Sequence, residues 1–463
     1  MFKQVLINQE NYMENKGFRP TGKNTYSVVV VGAGASGLLF AAGYNNLKGG
    51  SSTDGRGLSG LIIDHNGKAG AKLLISGGGR CNFTHGGNIK DFPSHYHNGK
   101  KIRSSLYKHS NKAFVDFMAG LGISATEEED GRIFPSSMRG ASVVSALETE
   151  SVSNGFTLLQ GCSITGIIPP DRNSGENLWC LSLKRCGSRY PFSTRENQET
   201  AMIYTSSLVI AAGGITFPET GSDGSIHQIL EQNLGIRFTD MVPALMNINL
   251  KNNPFGQLAG VTLGKTIITV LRSSGKKEKE ISGSILLTGS GISGPAAINA
   301  SAWMEPGSFL QISFIPDMNE GQVRILLERE IKGRTQNVNN IASVLSASTT
   351  LPKSLTRVLA AMAADGDTPS LKKLSRLLTS YRLEPDFSDL SSGQILNRAM
   401  VTKGGICLDQ INMKTMEFKD YPGLYAIGEI LDVHGETGGY NIQFAYSSAM
   451  TAASAISGRQ RRQ

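Results

Sequence analysis

Gly32, Gly34 and Gly37 stand in the spacing G-x-G-x-x-G, within Gly32-Ala33-Gly34-Ala35-Ser36-Gly37. The first glycine allows a tight turn, the second lets backbone approach a pyrophosphate, and the third lets a helix pack closely on a strand. A second glycine-rich stretch, Ser76-Gly77-Gly78-Gly79-Arg80-Cys81-Asn82, follows Lys72. Three consecutive glycines make a backbone that can approach a flat or phosphorylated ligand. Arg80, Cys81, Asn82, His85, His434 and Tyr440 are the side chains that could move a proton or electrons beside it. Each has an ordinary alternative. Cys81 suits a small packing position, His434 a solvated loop, and Tyr440 the positioning of a ligand. Arg132 and Arg139 read as surface charges. Cysteines 81, 162, 180, 186 and 407 form no C-x-x-C or Cys/His pattern, so no metal site is expected.

The glycine spacing carries meaning only between a strand and a helix. Val28–Val31 is a β-branched run that predicts a buried parallel strand, and an apolar helix follows Gly37. Such a helix offers N–H groups and a positive dipole end to phosphates. Leu61–Asp64 predicts a second buried strand ending in an acid, the place from which a carboxylate holds an adenosine ribose. The usual separation from the glycines is about 20 residues. Here Gly32 and Asp64 are 32 positions apart, so Gly49–Gly60 reads as an inserted loop. Helices are expected over 111–122 and 142–153, with a short extended piece at 131–135.

Residues 156–168, 178–184 and 200–204 predict a three-stranded antiparallel meander, and Leu208–Gly214 a further buried strand. A meander and a returning strand suit a flavin domain. A nicotinamide dehydrogenase would continue β-α-β. Residues 243–315 are β-rich and 321–381 show helical periodicity. The chain then returns through Gly423–Glu429, a strand ending in Gly-Glu, and through Gly438-Gly439-Tyr440-Asn441 into a last helix. The expected class is α/β: a Rossmann-type FAD-binding domain of 25–240 and 396–463 with two inserts. These are a β-rich subdomain, 241–316, and a helical subdomain, 317–395. Residues 1–24 are polar and aperiodic, as in a loose arm.

The chain has 463 residues, a net charge of +8 and a pI near 9.1. The basic residues are dispersed, which fits solubility and attraction for anionic cofactors more than nucleic-acid binding. Scattered cysteines without a signal peptide predict a reducing cytoplasm. No apolar run approaches the roughly 20 residues of a membrane span.

Long stretches resemble the FAD-binding flavoproteins grouped as aminoacetone-oxidase-like or 3-dehydro-bile-acid Δ4,6-reductase-like. They are ISGGGRCNFTH at 75–85, GRIFPSS at 131–137, LTGSGISGPA at 287–296, VTKGGICLDQINMKTME at 401–417 and GEILDVHGETGGYNIQFAYSSA at 428–449. The resemblance runs from about Tyr26 to Ser457, and the group is similar in plan to glutathione-reductase-type FAD domains; it implies that the insert has a β-barrel-like part and a helical part. It implies that Gly32, Gly34, Ala35, Ser36 and Gly37 cradle the FAD pyrophosphate. Asp64 would hold the ribose, where relatives mostly carry Glu. Lys72 and Ser76, Gly77, Gly78, Gly79, Arg80, Cys81 and Asn82 would line the path to the flavin. The strand at Ile164 would offer backbone to adenine, and Gly213 and Gly214 would let the chain pass close to the cofactor. Gly428 and Glu429 would bind the ribityl chain or phosphate. Gly439, Tyr440, Asn441 and Ile442 would sit at the pyrimidine end. Two pieces depart from the pattern: Ala211-Ala212-Gly213-Gly214 replaces Ala-Thr-Gly-Gly, and Gly221–Ser225 is shorter than usual.

Three functions are compatible with these residues. One is reduction of an unsaturated small molecule, with NAD(P)H as a transient donor. Another is oxidation of an amine or amino-ketone by O₂. The third is an FAD-binding interaction or RNA-modification-linked role without small-molecule turnover.

Overall fold

The computed structural model describes residues 24–44, 59–171, 177–185, 200–388 and 393–460. The predicted arm and inserted loop fall almost wholly outside these residues, as does Cys186. Two compact units result: one of 1–242 with 401–463, the other Pro243–Met400.

The first unit begins with β1 (Thr25–Val31) and α1 (Ala35–Gly43), followed by β2 (Gly60–Asp64). Val28, Val29 and Val30 are fully buried. Each such side chain contributes about 1.5–3 kcal/mol relative to exposure, before conformational entropy is subtracted. The short helix α2 (Ala71–Ile75) leads to a tight turn at Ser76–Gly79 and to β3 (Thr84–His85). Next come α3 (Gly99–Lys108), α4 (Asn111–Gly120), β4 (Ala125–Glu127), β5 (Arg132–Pro135) and α5 (Gly140–Ser153). Ser110 caps α4 by accepting from the Ala113 N–H at 3.3 Å. Helix α3 has no counterpart among the sequence expectations: its line, GKKIRSSLYK, has only Ile102 and Leu106 as buried apolar residues.

The predicted meander is built differently from its expectation. Residues 156–168 are two strands, β6 (Phe156–Gln160), parallel to β2, and β7 (Cys162–Ile168). Strand β8 (Trp179–Arg185) pairs antiparallel with β7 and with β9 (Thr200–Ile210). The polar run at 205–207 does not interrupt β9. Thr205 Oγ1 donates to the Ser207 carbonyl and accepts its N–H, so both polar residues are buried with partners. One long strand thus joins the meander to β1. Helix α6 (Ser225–Leu234) follows.

In the second unit, β10 (Ile248–Asn249), β11 (Thr262–Leu271), β12 (Lys277–Leu287) and β13 (Gly291–Ser293) precede helix α7 (Pro295–Ser301) and β14 (Phe309–Ser313). Four helices follow: α8 (Glu320–Glu330), α9 (Val338–Ser348), α10 (Lys353–Ala363) and α11 (Leu371–Thr379). Strand β15 (Tyr381–Leu383) comes after them. The antiparallel order is β10-β13-β12-β11-β14-β15. An isolated Leu250↔Pro385 bridge links the two ends, so the sheet curls toward closure. The two inserts expected from sequence are one body. Strand β15 lies beyond the helices yet completes the sheet, and Leu310 and Ile312 share a core with Leu355, Leu374 and Leu378.

The chain returns to the first unit through β16 (Ile411–Asn412), β17 (Glu417–Phe418), β18 (Leu424–Ala426) and α12 (Tyr440–Gln460). The main path of the sheet is β16-β17-β18-β9-β1-β2-β6, parallel from β18 to β6. Helix α12 packs along α1. Met450 lies over Gly43 at that contact, its Cε 2.2 Å from where a Cβ would stand.

Candidate active site

The site gathers at the carboxyl ends of β1, β2, β9 and β18, where open α/β sheets bind ligands. Gly32 leaves β1 with φ +106° and donates its N–H to Ile63 O at 2.7 Å. A Cβ on Gly32 would lie 2.5 Å from Ala211 O, and one on Gly37 would lie 1.9 Å from Gly32 O. Those two glycines are required by the fold itself. Gly34 is different: it caps α1, and a Cβ there would meet nothing within 4 Å. The first turn of α1, holding Ala35, Ser36 and Gly37, carries no acidic side chain. Open space before a helix N-terminus without acids fits a pyrophosphate.

Asp64 ends β2 and is engaged with backbone. Oδ2 accepts the Ala33 N–H at 2.6 Å and Oδ1 the Asn66 N–H at 2.8 Å. Burial raises its carboxyl above the ordinary value, opposed by those two N–H bonds. The carboxylate therefore pins the G-x-G turn to β2. Ile164 lies on β7, opposite Leu183, and the turn entering β7 donates from Gly161 N to Asn66 O at 3.0 Å.

Lys72, on α2, donates to both carboxylate oxygens of Glu429 at 3.1 and 3.0 Å and to Thr216 Oγ1 at 2.9 Å. Glu429 Oε1 also accepts the Thr402 N–H at 2.8 Å. Gly428 precedes it with φ +73°, and a Cβ there would lie 2.5 Å from Ser36 Oγ. The returning chain thus lies against the first glycine turn. Gly213 and Gly214 are small chiefly because the protein itself closes on them. Their Cβ atoms would meet Ser222 Oγ at 2.9 Å and Thr402 Oγ1 at 2.1 Å. Thr216 and Thr402 gave no sequence signal, because a threonine beside a strand end has no distinctive spacing.

The second glycine stretch is a backbone nest. Gly77, Gly78 and Gly79 have φ of +57°, +70° and +85°, and Cys81 also has positive φ, +63°. Ser76 Oγ donates to Leu73 O, and Arg80 pairs with Glu128 at 2.8 Å over the Phe134 ring. Arg132 joins the same Glu128 at 2.8 Å, so it belongs to this ion cluster and is not an isolated surface charge. Cys81 is fully buried, and that burial pushes its thiol up to about 12. A protonated, covered thiol is a packing group. Asn82, with its amide oriented to satisfy both partners, donates to Thr84 O at 2.7 Å and Ile133 O at 3.1 Å.

Helix α12 begins against that strand. A Cβ on Gly439 would lie 2.4 Å from Thr84 O. The His85 and His95 imidazoles lie parallel to the Tyr440 ring at 5.2 and 4.5 Å, and Phe92 and Tyr96 meet it edge-on. Burial raises the Tyr440 phenol well above its ordinary value, with Glu436 adding to the effect. Asn441 holds a turn: it accepts the Gly435 N–H at 2.8 Å and donates to Gly435 O at 3.0 Å. Ile442 packs on the core. His434 is buried, 2% exposed, rather than solvated. His95 and Glu436 escaped sequence reasoning because they are 341 residues apart and neither sits in a glycine motif.

A parallel sheet with this glycine turn, an acid at the end of β2 and a returning Gly-Glu strand defines an FAD-dependent oxidoreductase of the Rossmann type. The residues fit the cofactor at Gly34 and the nest at 77–79. The family model described as HI0933-like protein Rossmann domain matches residues 26–455, and the chain belongs to that family. It is 29% identical over 439 residues to a ribosomal RNA dihydrouridine synthase of Escherichia coli K12, covering 92% of this chain and 97% of that protein. It is also 29% identical to the protein of that name from Haemophilus influenzae, over 93% of this chain and 98% of the other. A 3-dehydro-bile acid delta(4,6)-reductase of Clostridium scindens is 25% identical, over 93% and 98%. Among the described residues, no helix is long and apolar enough to cross a membrane.

Proposed function

We propose that this protein is a reductase that takes hydride from NAD(P)H and delivers it to a carbon–carbon double bond conjugated to a carbonyl. The observation that carries the reading is co-linearity. Relatives matched over more than nine-tenths of the chain bear names that describe saturation of such a bond. Bound FAD would supply the two-electron carrier. The chain would supply the rest: α1 and Gly34 for the pyrophosphate, the nest at 77–79 and Lys72 along the cofactor, and the 82–85 and 438–441 segments beside the reacting ring.

A uracil ring in RNA is the acceptor favoured by the more similar relatives, and a net charge of +8 suits a phosphate-rich substrate. A small unsaturated ketone is the second acceptor, favoured by the 25% identical relative and by the dispersed pattern of basic residues.

Anaerobic mixing tests the reading. NADH or NADPH should bleach the yellow flavin. Colour should return on adding either RNA lacking dihydrouridine or a steroid-like dienone, and the one that restores it identifies the acceptor class. Bleaching by aminoacetone without NAD(P)H would establish the oxidase instead. No bleaching by either would leave an FAD-binding interaction protein.

A further inference from the structure

The segments 95–97 and 434–436 run antiparallel. Glu436 N donates to His95 O and His97 N to His434 O, both at 2.9 Å, around a Tyr96↔Gly435 bridge. This pairing sets two side chains against each other, with His95 Nδ1 2.8 Å from Glu436 Oε2. The carboxylate is 12% exposed and the imidazole 35%, so the acid is shielded while the ring reaches solvent. A carboxylate on Nδ1 fixes that proton and turns Nε2 outward. The ring also lies parallel to Tyr440 at 4.5 Å, the first residue of α12, next to the Gly438-Gly439 turn that abuts Asn82 and Thr84. His95 thus belongs to a wall of rings around Tyr440, which the Gly439 turn ties to Asn82 and Thr84.

The other titratable groups around this wall are poorly placed to give up a proton. Cys81 is buried with its thiol pushed up to about 12. Tyr440 and Tyr96 are buried phenols raised above their ordinary value, and the Tyr96 hydroxyl donates to Tyr440 O at 2.6 Å. His434 is buried. His85 has its Nδ1 3.0 Å from Gly86 O, and the Asp130 carboxylate near it is paired with Arg132 at 2.7 Å. His97 faces Asp432 at 3.9 Å and stacks on the buried His434 ring at 5.0 Å.

We propose that His95, held by Glu436, is the proton donor that completes reduction of the double bond. The assignment rests on the reductase reading above. Hydride arriving at one alkene carbon leaves the electron pair on the other, as an enolate of the conjugated carbonyl. That pair takes the proton from Nε2 of the His95 imidazolium, a C–H bond forms as the N–H bond breaks, and neutral His95 regains a proton from water. Glu436 stays ionised and is a positioning residue.

The test uses the FAD-loaded full chain, with His95→Gln, Glu436→Gln and the control His97→Gln. All should be bleached by NAD(P)H like the unaltered protein. Reoxidation by the acceptor should slow about 10²–10⁴-fold in His95→Gln, the usual share of general acid catalysis, and stay unchanged in His97→Gln. Glu436→Gln should also slow reoxidation, because the carboxylate that orients the ring is gone. A second readout is the solvent deuterium isotope effect on reoxidation, which should rise in Glu436→Gln as proton transfer becomes the slower step. Reoxidation of His95→Gln at the unaltered rate would overturn the assignment. If His95→Gln fails to fold, an unaltered rate and isotope effect in Glu436→Gln overturn it. If the unaltered protein is bleached but no conjugated acceptor restores its colour, the reductase reading itself falls, and the assignment with it.

Discussion

Lys72 and Glu429 are 357 residues apart, and the Lys72 ammonium lies 3.0 Å from Glu429 Oε2. The pair closes the gap between the helix after β2 and the Gly-Glu turn after β18. Glu429 also accepts the Thr402 N–H at 2.8 Å, so its loss leaves a backbone donor without its acceptor. An abandoned buried or half-buried donor costs about 1–3 kcal/mol. Glu429→Ala should therefore lower the melting temperature of the purified protein by several degrees, on the scale of about 2–4 °C per kcal/mol for a domain of this size. Glu429→Gln keeps an acceptor and should lose less. The ion pair is about one-quarter exposed, so raising salt should narrow the difference only slightly. Equal melting temperatures for the alanine variant and the unaltered protein would show that the link does not stabilise the fold.

The thiols give a second expectation. Burial holds the Cys81 and Cys180 thiols at about 12, so at pH 8 only about one molecule in 10⁴ carries the thiolate. Native protein treated with iodoacetamide should yield unlabelled Cys81 and Cys180 peptides by mass spectrometry, and labelled ones after denaturation. Cys81→Ala should keep reduction by NAD(P)H. Rapid native labelling of Cys81 would restore it as a redox candidate.

Much of the site was legible because some of its constraints are local. A β-branched run, three glycines at fixed spacing and an apolar helix specify the β1–α1 turn without reference to the rest of the chain. The pairings that complete the site are long-range. Lys72 and Glu429, or His95 and Glu436, meet only because β18 returns to β9 and α12 to α1, and no spacing encodes such meetings. The polar residues 205–207 separate the strands expected at 200–204 and 208–214, yet Thr205 and Ser207 satisfy each other within one strand. The last strand of the second unit is equally hard to read. Three residues of strand, Tyr381–Leu383, are too short to stand out after a helical run, yet they pair with β14.

His109 supplies a pH dependence. Burial pulls its imidazole down to about 4, with Lys108 adding a smaller repulsion. In the unfolded chain the ring protonates near its ordinary value of 6.5. Between those two values the unfolded state binds more protons, so stability rises with pH and is lost as pH falls through the window. His109→Gln removes the titration, while the His109 carbonyl still accepts from Gln443 Nε2 and Ser447 Oγ. The loss of melting temperature between pH 7 and pH 5 should be smaller in the variant. An identical loss in both proteins would assign the acid sensitivity to other groups.

The glycines of the first turn separate binding from folding. Gly34→Val should fold, because its Cβ position is open to 4 Å and its φ is −78°, which any L-residue adopts. The added branches would fill the space before α1 where the pyrophosphate is placed, so the purified variant should be colourless with an unchanged circular dichroism spectrum. Gly37→Ala should behave in the opposite way. Its Cβ would stand 1.9 Å from Gly32 O, a backbone atom that cannot swing aside, so α1 must move off β1. Overpacking of this kind costs about 1–3 kcal/mol or more, and here the melting temperature should drop before flavin content is considered. Gly34→Val that keeps a full complement of flavin would place the pyrophosphate elsewhere. A Gly34→Val that unfolds while Gly37→Ala does not would show that the turn is packed differently from the geometry described.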